Sequence, residues 1–159
     1  MNLPDGVEIR IRRMALADLD PVIELALSLP QAPRWPRSAY LAALNPDAAP
    51  PRMALVAGDM ETGAVQGFAV ASLLPPQAEL ETIAVAAESQ RRGLARRIFI
   101  AMADELRKAL VTEVLVEVRA SNLPVLAFYR ALGFAMTGRR PRYYADPIED
   151  AVLMELRLA

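Results

Sequence analysis

The chain has 159 residues, of which 54% are hydrophobic and 23% charged, and its formal net charge is −1 at pH 7. This length and composition predict one globular domain over residues 1–159, and they exclude a disordered chain and a broad basic surface for nucleic acid. Cysteine and histidine are absent, which excludes disulfides, thiolate metal sites and the commonest general base. Any proton transfer must therefore use carboxylate, tyrosine, lysine or water, and we expect no metal.

Targeting signals are not evident in the sequence. Residues 1–13 alternate charged and apolar side chains and lack the apolar stretch of a signal peptide. No apolar run reaches the roughly 18 residues that span a bilayer. We therefore expect a cytoplasmic protein that contacts neither membrane nor nucleic acid directly and is a monomer or a weak homodimer.

The hydrophobic pattern predicts seven strands and four helices along the chain. The expected strands are residues 7–14, 52–57, 65–74, 77–85, 112–119, 134–140 and 151–158. The expected helices are residues 18–29, 37–44, 92–110 and 123–132. Because a strand, a long helix and a second strand follow one another over 77–119, that pair should be parallel with a right-handed crossover. The fold class is α/β (α+β), with a ligand site beyond the carboxyl ends of the parallel strands.

Residues 90–95 (QRRGLA) stand between the fourth expected strand and the long helix. Unpaired backbone N–H groups at a helix N-terminus bind anions, and Arg91, Arg92 and Arg96 add positive charge there. Gly93 allows the backbone to approach the anion closely. The alternative interpretation is an ordinary helix start with solvated arginines. The strand before and the helix after the segment favour a phosphate site.

Glu117 interrupts the apolar segment 114–118, which should be an internal parallel strand covered on both faces. A carboxylate in such a place is costly unless it has a function, and a desolvated carboxylate accepts a proton more readily than one in water. The functional interpretation is a general base. The alternatives are a glutamate on a solvated face or one paired with Arg119.

These segments resemble the GNAT acetyltransferases. The segment 90–95 looks like the family's pyrophosphate loop, 83–85 (IAV) resembles a strand end that splays to bond the pantetheine arm, and 121–134 resembles the S-N-x(5)-[LF]-Y-x-x-L-G-F signature. Residues 115–122 (LVEVRASN), 139–144 (RRPRYY) and 149–151 (EDA) are most similar to the ribosomal-protein-alanine N-acetyltransferases of the RimI type. Residues 1–76 match more weakly.

The resemblance implies a fold, a cofactor and site residues. The implied fold is a mixed, mostly antiparallel sheet of six to seven strands, with a parallel fourth and fifth strand and about four flanking helices. Acetyl-CoA is the implied cosubstrate, Glu117 the base and Tyr129 the general acid, with Glu79 and Glu81 as alternative bases. The apolar spacing around Tyr129 equally suits a core residue. The cofactor-binding residues expected are Ile83, Ala84, Val85, Arg91, Arg92, Gly93, Leu94, Ala95, Arg96 and Asn122, the last of which also suits a helix cap.

The acceptor is expected to contact aromatic and acidic side chains: Trp35, Tyr40, Glu81, Tyr143 and Tyr144. Trp35 and Tyr40 flank the first two helices, and the tyrosine pair should lie in the connection between the last two strands. In the family these two loops form the walls of the acceptor groove.

The predicted function is direct acetyl transfer to a protein N-terminal α-amine, with the N-terminal alanine of a ribosomal protein as the leading acceptor. One alternative is acetylation of a small amine such as a polyamine, an amino acid or an aminoglycoside, which an acidic acceptor pocket would support. A second alternative is a CoA-binding regulator without turnover. A dinucleotide-binding oxidoreductase is excluded because the loop lacks G-x-G-x-x-G.

Overall fold

The computed structural model describes residues 2–3 and 7–158, which contain eight strands and four α-helices. The strands are β1 (Asn2–Leu3), β2 (Val7–Arg13), β3 (Arg52–Asp59), β4 (Val65–Leu74), β5 (Gln77–Val85), β6 (Glu113–Arg119), β7 (Ala135–Tyr144) and β8 (Glu149–Arg157). The helices are α1 (Leu19–Ser28), α2 (Arg37–Leu44), α3 (Leu94–Lys108) and α4 (Leu123–Ala131). No described helix is both long and apolar enough to cross a membrane.

The strands form one mixed sheet in the order β1-β2-β3-β4-β5-β6-β8-β7. All neighbours are antiparallel except β5 and β6, which are parallel. The two-residue β1 was not predicted, and without it the parallel pair is the fourth and fifth strand. The predicted fold class is confirmed.

The parallel pair is joined at one end and open at the other. Its register covers three residue pairs, from Gln77 opposite Glu113 to Glu79 opposite Leu115. Beyond these pairs β5 continues to Val85 against β4, and β6 continues to Arg119 against β8. The two strands therefore separate towards their carboxyl ends and leave a crevice in the sheet.

Both faces of the sheet are covered. On one face, Leu94, Ile98, Met102 and Leu106 of α3 are buried with α4 against β3 to β6. The other face packs α1 and α2 against the alternate side chains of β3 and β4. This double coverage explains why β3 and β4 are almost continuously apolar.

Gly67 of β4 permits α3 to lie close to the sheet beneath the crevice. A Cβ atom at this position would stand 2.8 Å from Ile98 Cδ1 and 2.9 Å from the Ala84 carbonyl oxygen. Both distances are below ordinary van der Waals contact, so a larger residue would displace the helix or the strand. Gly67 thus helps to fix the start of α3 relative to the end of β5.

The hairpin of β7 and β8 differs from the prediction. Tyr143 and Tyr144 were expected in a connecting loop, but β7 continues to Tyr144 through a break in register between Arg140 and Tyr144. Arg142 has a φ of 51° within this break. Pro141 has no N–H group to donate to a neighbouring strand. Because β7 is the edge of the sheet and has a neighbour on one side only, the strand tolerates this proline and continues past it.

Candidate active site

A cavity of about 650 Å³ opens where β5 and β6 separate. Its lining comes from residues 79–85 of β5, Gln90, residues 117–119 of β6, residues 29–33 and Trp35 between α1 and α2, both ends of α4, and the end of β7. We call residues 83–85 and the adjoining segment 90–96 the donor wall, of which 83–85 and Gln90 line the cavity. The acceptor wall consists of Glu79, Glu81, Glu117 and Tyr143, which line the cavity, together with Arg140, which pairs with Glu117.

The donor wall presents backbone groups. Arg91 and Gly93 have φ values of 61° and 78°, and Gly93 is the N-cap of α3. Within the described chain, the amides of residues 91–96 have no backbone acceptor, and no side chain caps the helix. Successive left-handed and turn residues of this kind direct their N–H groups towards one anion. The segment thus has the geometry that the sequence predicted.

Two side-chain hydrogen bonds hold the donor wall together. The Gln90 amide donates to the Val85 carbonyl at 3.0 Å, and the Ser89 hydroxyl donates to the Gln66 side chain at 2.8 Å. Arg91, Arg92 and Arg96 are exposed, so their charges are available to an anion in solvent. Leu94 is buried in the core and can offer only its backbone amide to a ligand.

Three carboxylates meet on the acceptor wall. Glu81 pairs with Arg52 at 2.9 Å, and Glu117 pairs with Arg140 at 3.7 Å. Glu79 faces the cavity mouth without an ion pair in the part of the chain that the structure describes. Partial desolvation, followed by the charges of Glu117 and Glu81, raises the pKa of Glu79 above that of an ordinary glutamate.

The side-chain environment of Glu117 differs from the alternative considered from sequence. Arg119 does not neutralise Glu117; its guanidinium pairs with Glu149 at 3.3 Å and lies 4.5 Å from the Tyr144 ring centroid. The counter-ion of Glu117 is Arg140, on a different strand. The Glu117 side chain is 20% exposed and lines the cavity, so it is accessible to a ligand.

Tyr129 combines both roles considered from sequence. It is 5% exposed and packs against Phe134 at a centroid distance of 5.1 Å, as a core residue does. It also lines the cavity, which a purely structural tyrosine need not do. Burial and the neighbouring Tyr144 raise its pKa well above the usual value, so the phenol keeps its proton at neutral pH.

The tyrosine pair at the end of β7 closes the acceptor wall. Hydrogen bonding to the Glu117 carboxylate, together with its charge, raises the pKa of Tyr143. Desolvation, followed by the charge of Glu117, raises the pKa of Tyr144. Both hydroxyls therefore remain donors at neutral pH, and both residues line the cavity.

The remaining predicted residues divide between the cavity and the core. Trp35 lines the cavity, whereas Tyr40 is 1% exposed and packs between Trp35 and Phe68. The expected contact of Tyr40 with an acceptor is corrected, because this residue supports Trp35 from within the core. Ile83, Ala84, Val85 and Asn122 line the cavity. Asn122 also caps α4 by accepting a hydrogen bond from the Val125 amide at 3.4 Å.

Sequence reasoning missed several lining or neighbouring residues. Thr82 and Gln90 line the cavity, as do residues 29–33 before Trp35. Gln90 could have been found, since it lies in the segment singled out as an anion loop. Arg140 has no local signal, because its role depends on a contact with a carboxylate 23 positions away on another strand.

Comparison with known proteins identifies similar chains. The family described as Acetyltransferase (GNAT) family matches residues 19–134. The [ribosomal protein bS18]-alanine N-acetyltransferase of Escherichia coli K12 is 38% identical over 101 residues, which are 62% of this chain and 68% of the relative. The N-alpha-acetyltransferase RimI of Mycobacterium tuberculosis is 36% identical over 124 residues, 76% of this chain and 73% of the relative.

Among solved structures, the crystal structure of the ribosomal-protein-S18-alanine N-acetyltransferase from Escherichia coli superposes with a TM-score of 0.83. The alignment covers 96% of this chain and 95% of that chain at 28% identity. The likeness therefore extends over the whole described fold, including the residues before 77 that match weakly in sequence.

Proposed function

Because the chain belongs to the acetyltransferase (GNAT) family, we propose that it transfers acetyl from acetyl-CoA to a protein N-terminal α-amine, with the N-terminal alanine of a ribosomal protein as the acceptor. The observation that carries the proposal is one cavity whose lining joins the end of β5 and Gln90, next to the segment of unpaired backbone amides, to a carboxylate and a tyrosine. The names of the relatives support the choice of acceptor. Such an acceptor is made in the cytoplasm, where we place the enzyme.

Acetyl-CoA fits the donor wall on two observations. The unpaired amides of residues 91–96 and the three exposed arginines suit its pyrophosphate. The edge of β5 between Leu80 and Val85 is turned away from β6, so its backbone groups are open to an extended ligand arm. When bound, acetyl-CoA supplies an acetyl thioester as the group to be transferred.

Glu117 and Tyr129 then divide the proton transfers. A protein α-amine has a pKa of about 7.7 to 8.0 and is largely protonated at pH 7, so Glu117 must accept a proton before the amine can attack. Tyr129 holds a proton at neutral pH and can donate it to the sulfur that leaves. The nitrogen loses two protons in all: Glu117 takes the first before attack and passes it to solvent, and the second, released as the amide forms, restores the Tyr129 phenol that has protonated the sulfur. The acetyl group passes from sulfur to nitrogen without a bond to the enzyme.

The acceptor wall suits a cationic amine that arrives on a peptide. Glu79, Glu81 and Glu117 favour an ammonium group, and two of the three are paired with arginine. Trp35, Tyr143 and Tyr144 offer aromatic surface with two hydroxyl groups beside the carboxylates. A peptide N-terminus presents one charge at the end of an uncharged backbone, which matches this arrangement.

A second candidate is acetylation of a small amine, which the three glutamates of the cavity specifically favour. Mass spectrometry separates the two candidates: the enzyme and acetyl-CoA are incubated with N-terminal peptides and with polyamines, amino acids and aminoglycosides. We expect acetylation of peptides that begin with alanine. Acetylation of amines without peptides would contradict the proposal, and CoA binding without turnover on any acceptor would support the non-catalytic alternative.

A further inference from the structure

Arg140 is the cation that faces the Glu117 carboxylate across the mouth of the cavity. Its guanidinium lies 3.7 Å from Glu117, and its side chain is 55% exposed, whereas Glu117 is 20% exposed. We propose that Arg140 is a positioning residue for the base: its charge ensures that a proton entering the acidic cavity resides on Glu79 while Glu117 stays a carboxylate. This inference rests on the proposed function, in which Glu117 accepts the proton of the amine.

The edge strand places Arg140 for this task. Arg140 pairs with Ala151 of β8 and is the last residue of β7 before the break in register. Its neighbour Arg139 is bonded to Asp150, whereas Arg140 reaches Glu117 and stands 5.5 Å from the Tyr143 ring centroid. Tyr143 lies within the break and lines the cavity together with Glu117. One short irregular segment thus places the cation that pairs with Glu117 and, against that cation, a tyrosine that lines the same cavity.

Neighbouring carboxylates compete for protons. Ionised carboxylates that lie close together repel one another, which favours protonation of one of them. The proton is then shared among the group, and the carboxylates titrate together. The charges of Glu117 and Glu81 make Glu79 easier to protonate, and the charge of Arg140 opposes this effect only in part, as it stands nearer to Glu117. Without Arg140, the proton would be shared between Glu79 and Glu117, and a protonated Glu117 could not act as a base.

No other described cation can replace Arg140. Arg52 is committed to Glu81, and Arg119 is committed to Glu149 and to the carbonyls of Ala145 and Pro147. The charged and titratable groups that surround Glu117 are Glu79 and Glu81 from β5 with Arg52 of β3 behind them, Arg119 from β6, Tyr129 from α4, Arg140, Tyr143 and Tyr144 from β7, and Glu149 from β8.

The test compares Arg140→Gln, Arg140→Lys and the control Arg142→Gln in the full-length enzyme on an alanine peptide. Arg142 lies on the same strand, and its charge acts on Asp150 rather than on the cavity. We expect the acidic side, or acid limb, of the pH profile of kcat/KM for Arg140→Gln to move to higher pH by about 0.5 to 1 unit. This is less than the full shift that a closely adjacent charge causes. Arg140→Lys should retain the wild-type limb, and the Arg142→Gln profile should superimpose on wild type.

A double variant makes the competition visible. Removing the rival carboxylate in Glu79→Gln/Arg140→Gln should return the limb towards its wild-type position. A uniform loss of activity at every pH, or an equal shift in Arg142→Gln, would overturn the inference, because a structural role predicts those results.

A second readout needs no acceptor. NMR of ¹³C-labelled glutamate carboxyl groups follows proton uptake directly, and we expect Glu79 to take up its proton before Glu117 in wild type but together with it in Arg140→Gln. An unchanged order would overturn the inference. A wild-type enzyme that acetylates amines but no peptide would overturn the proposed acceptor, while the NMR titration would still decide the role of Arg140.

Discussion

The donor wall and the acceptor wall of the cavity are built by different means. The donor wall, residues 83–85 and 90–96, comes from one short stretch of sequence and presents backbone amides and carbonyls, whose positions are fixed by the end of β5 and the start of α3. The acceptor wall collects side chains from β5, β6 and β7, and its charges are balanced across strands. The first wall should therefore tolerate side-chain changes that keep the backbone, whereas the second should respond to single charges and to pH.

Glu117→Gln should have the largest effect, because it removes the base and keeps the shape of the acceptor wall. We expect kcat/KM to fall by roughly 10² to 10⁴, with the greatest loss where the acceptor amine is mostly protonated. Affinity for CoA, measured by calorimetry, should not change. Glu113→Gln, at the other end of β6 and outside the cavity, is the matched control and should keep wild-type kinetics.

Tyr129→Phe keeps the packing against Phe134 and removes the hydroxyl, and we expect turnover to fall by about 10². Tyr40→Phe is the control, since Tyr40 is equally buried but does not line the cavity. If both variants turn over like wild type, Tyr129 is a core residue only.

The same tyrosine predicts a pH dependence of stability. The pKa of Tyr129 is raised in the folded state. The contribution of its phenol to the free energy of unfolding is therefore fully present below the ordinary phenol pKa of about 10 and is lost as pH rises through the folded-state pKa. Thermal melts above pH 10 should therefore show wild type losing stability faster than Tyr129→Phe. Parallel curves for the two proteins would contradict the burial of the phenol.

The donor wall is tested with two glycines of almost equal φ. Gly93 has a φ of 78° and Gly63, in the turn between β3 and β4, has a φ of 76°. Alanine at either position should cost about 1 to 2 kcal/mol of stability through backbone strain. Only Gly93→Ala should also weaken CoA binding, by about tenfold, because it disturbs the amides of the anion segment. Equal CoA affinity in the two variants would remove the role of this segment.

Glu79→Gln should give the smallest effect, a slight change in thermal stability whose direction depends on pH. The pKa of Glu79 is raised, so its contribution to stability is present below the ordinary glutamate value of about 4.3 and is lost as pH rises through the folded-state value. The variant should melt slightly above wild type at pH 7 and level with it near pH 4. Glu24→Gln, on the exposed side of α1, controls for the loss of one charge.

The two walls also differ in how well they could be predicted from the sequence. The donor wall and the parallel strand pair were predictable because they depend on local patterns, such as the four-residue spacing from Leu94 to Leu106 in α3 and the glycine just before this helix. The acceptor wall depends on contacts between distant strands, so the sequence offered only the neighbouring Arg119 as an alternative partner for Glu117, whereas the structure pairs Glu117 with Arg140. Tyr143 and Tyr144 were placed in a loop because nothing local to Pro141 indicates that the strand resumes. The roles of Glu117 and Tyr129 stay predictions.

The most direct test of the central claim, that both walls serve one transfer to an α-amine, is a crystal structure with CoA joined covalently to the amine of an alanine peptide. We expect the pyrophosphate on the amides of residues 91–96, the sulfur within hydrogen-bond reach of the Tyr129 hydroxyl, and the peptide nitrogen within reach of Glu117 directly or through one water. A peptide nitrogen directed away from Glu117, or a pyrophosphate bound elsewhere, would contradict the account.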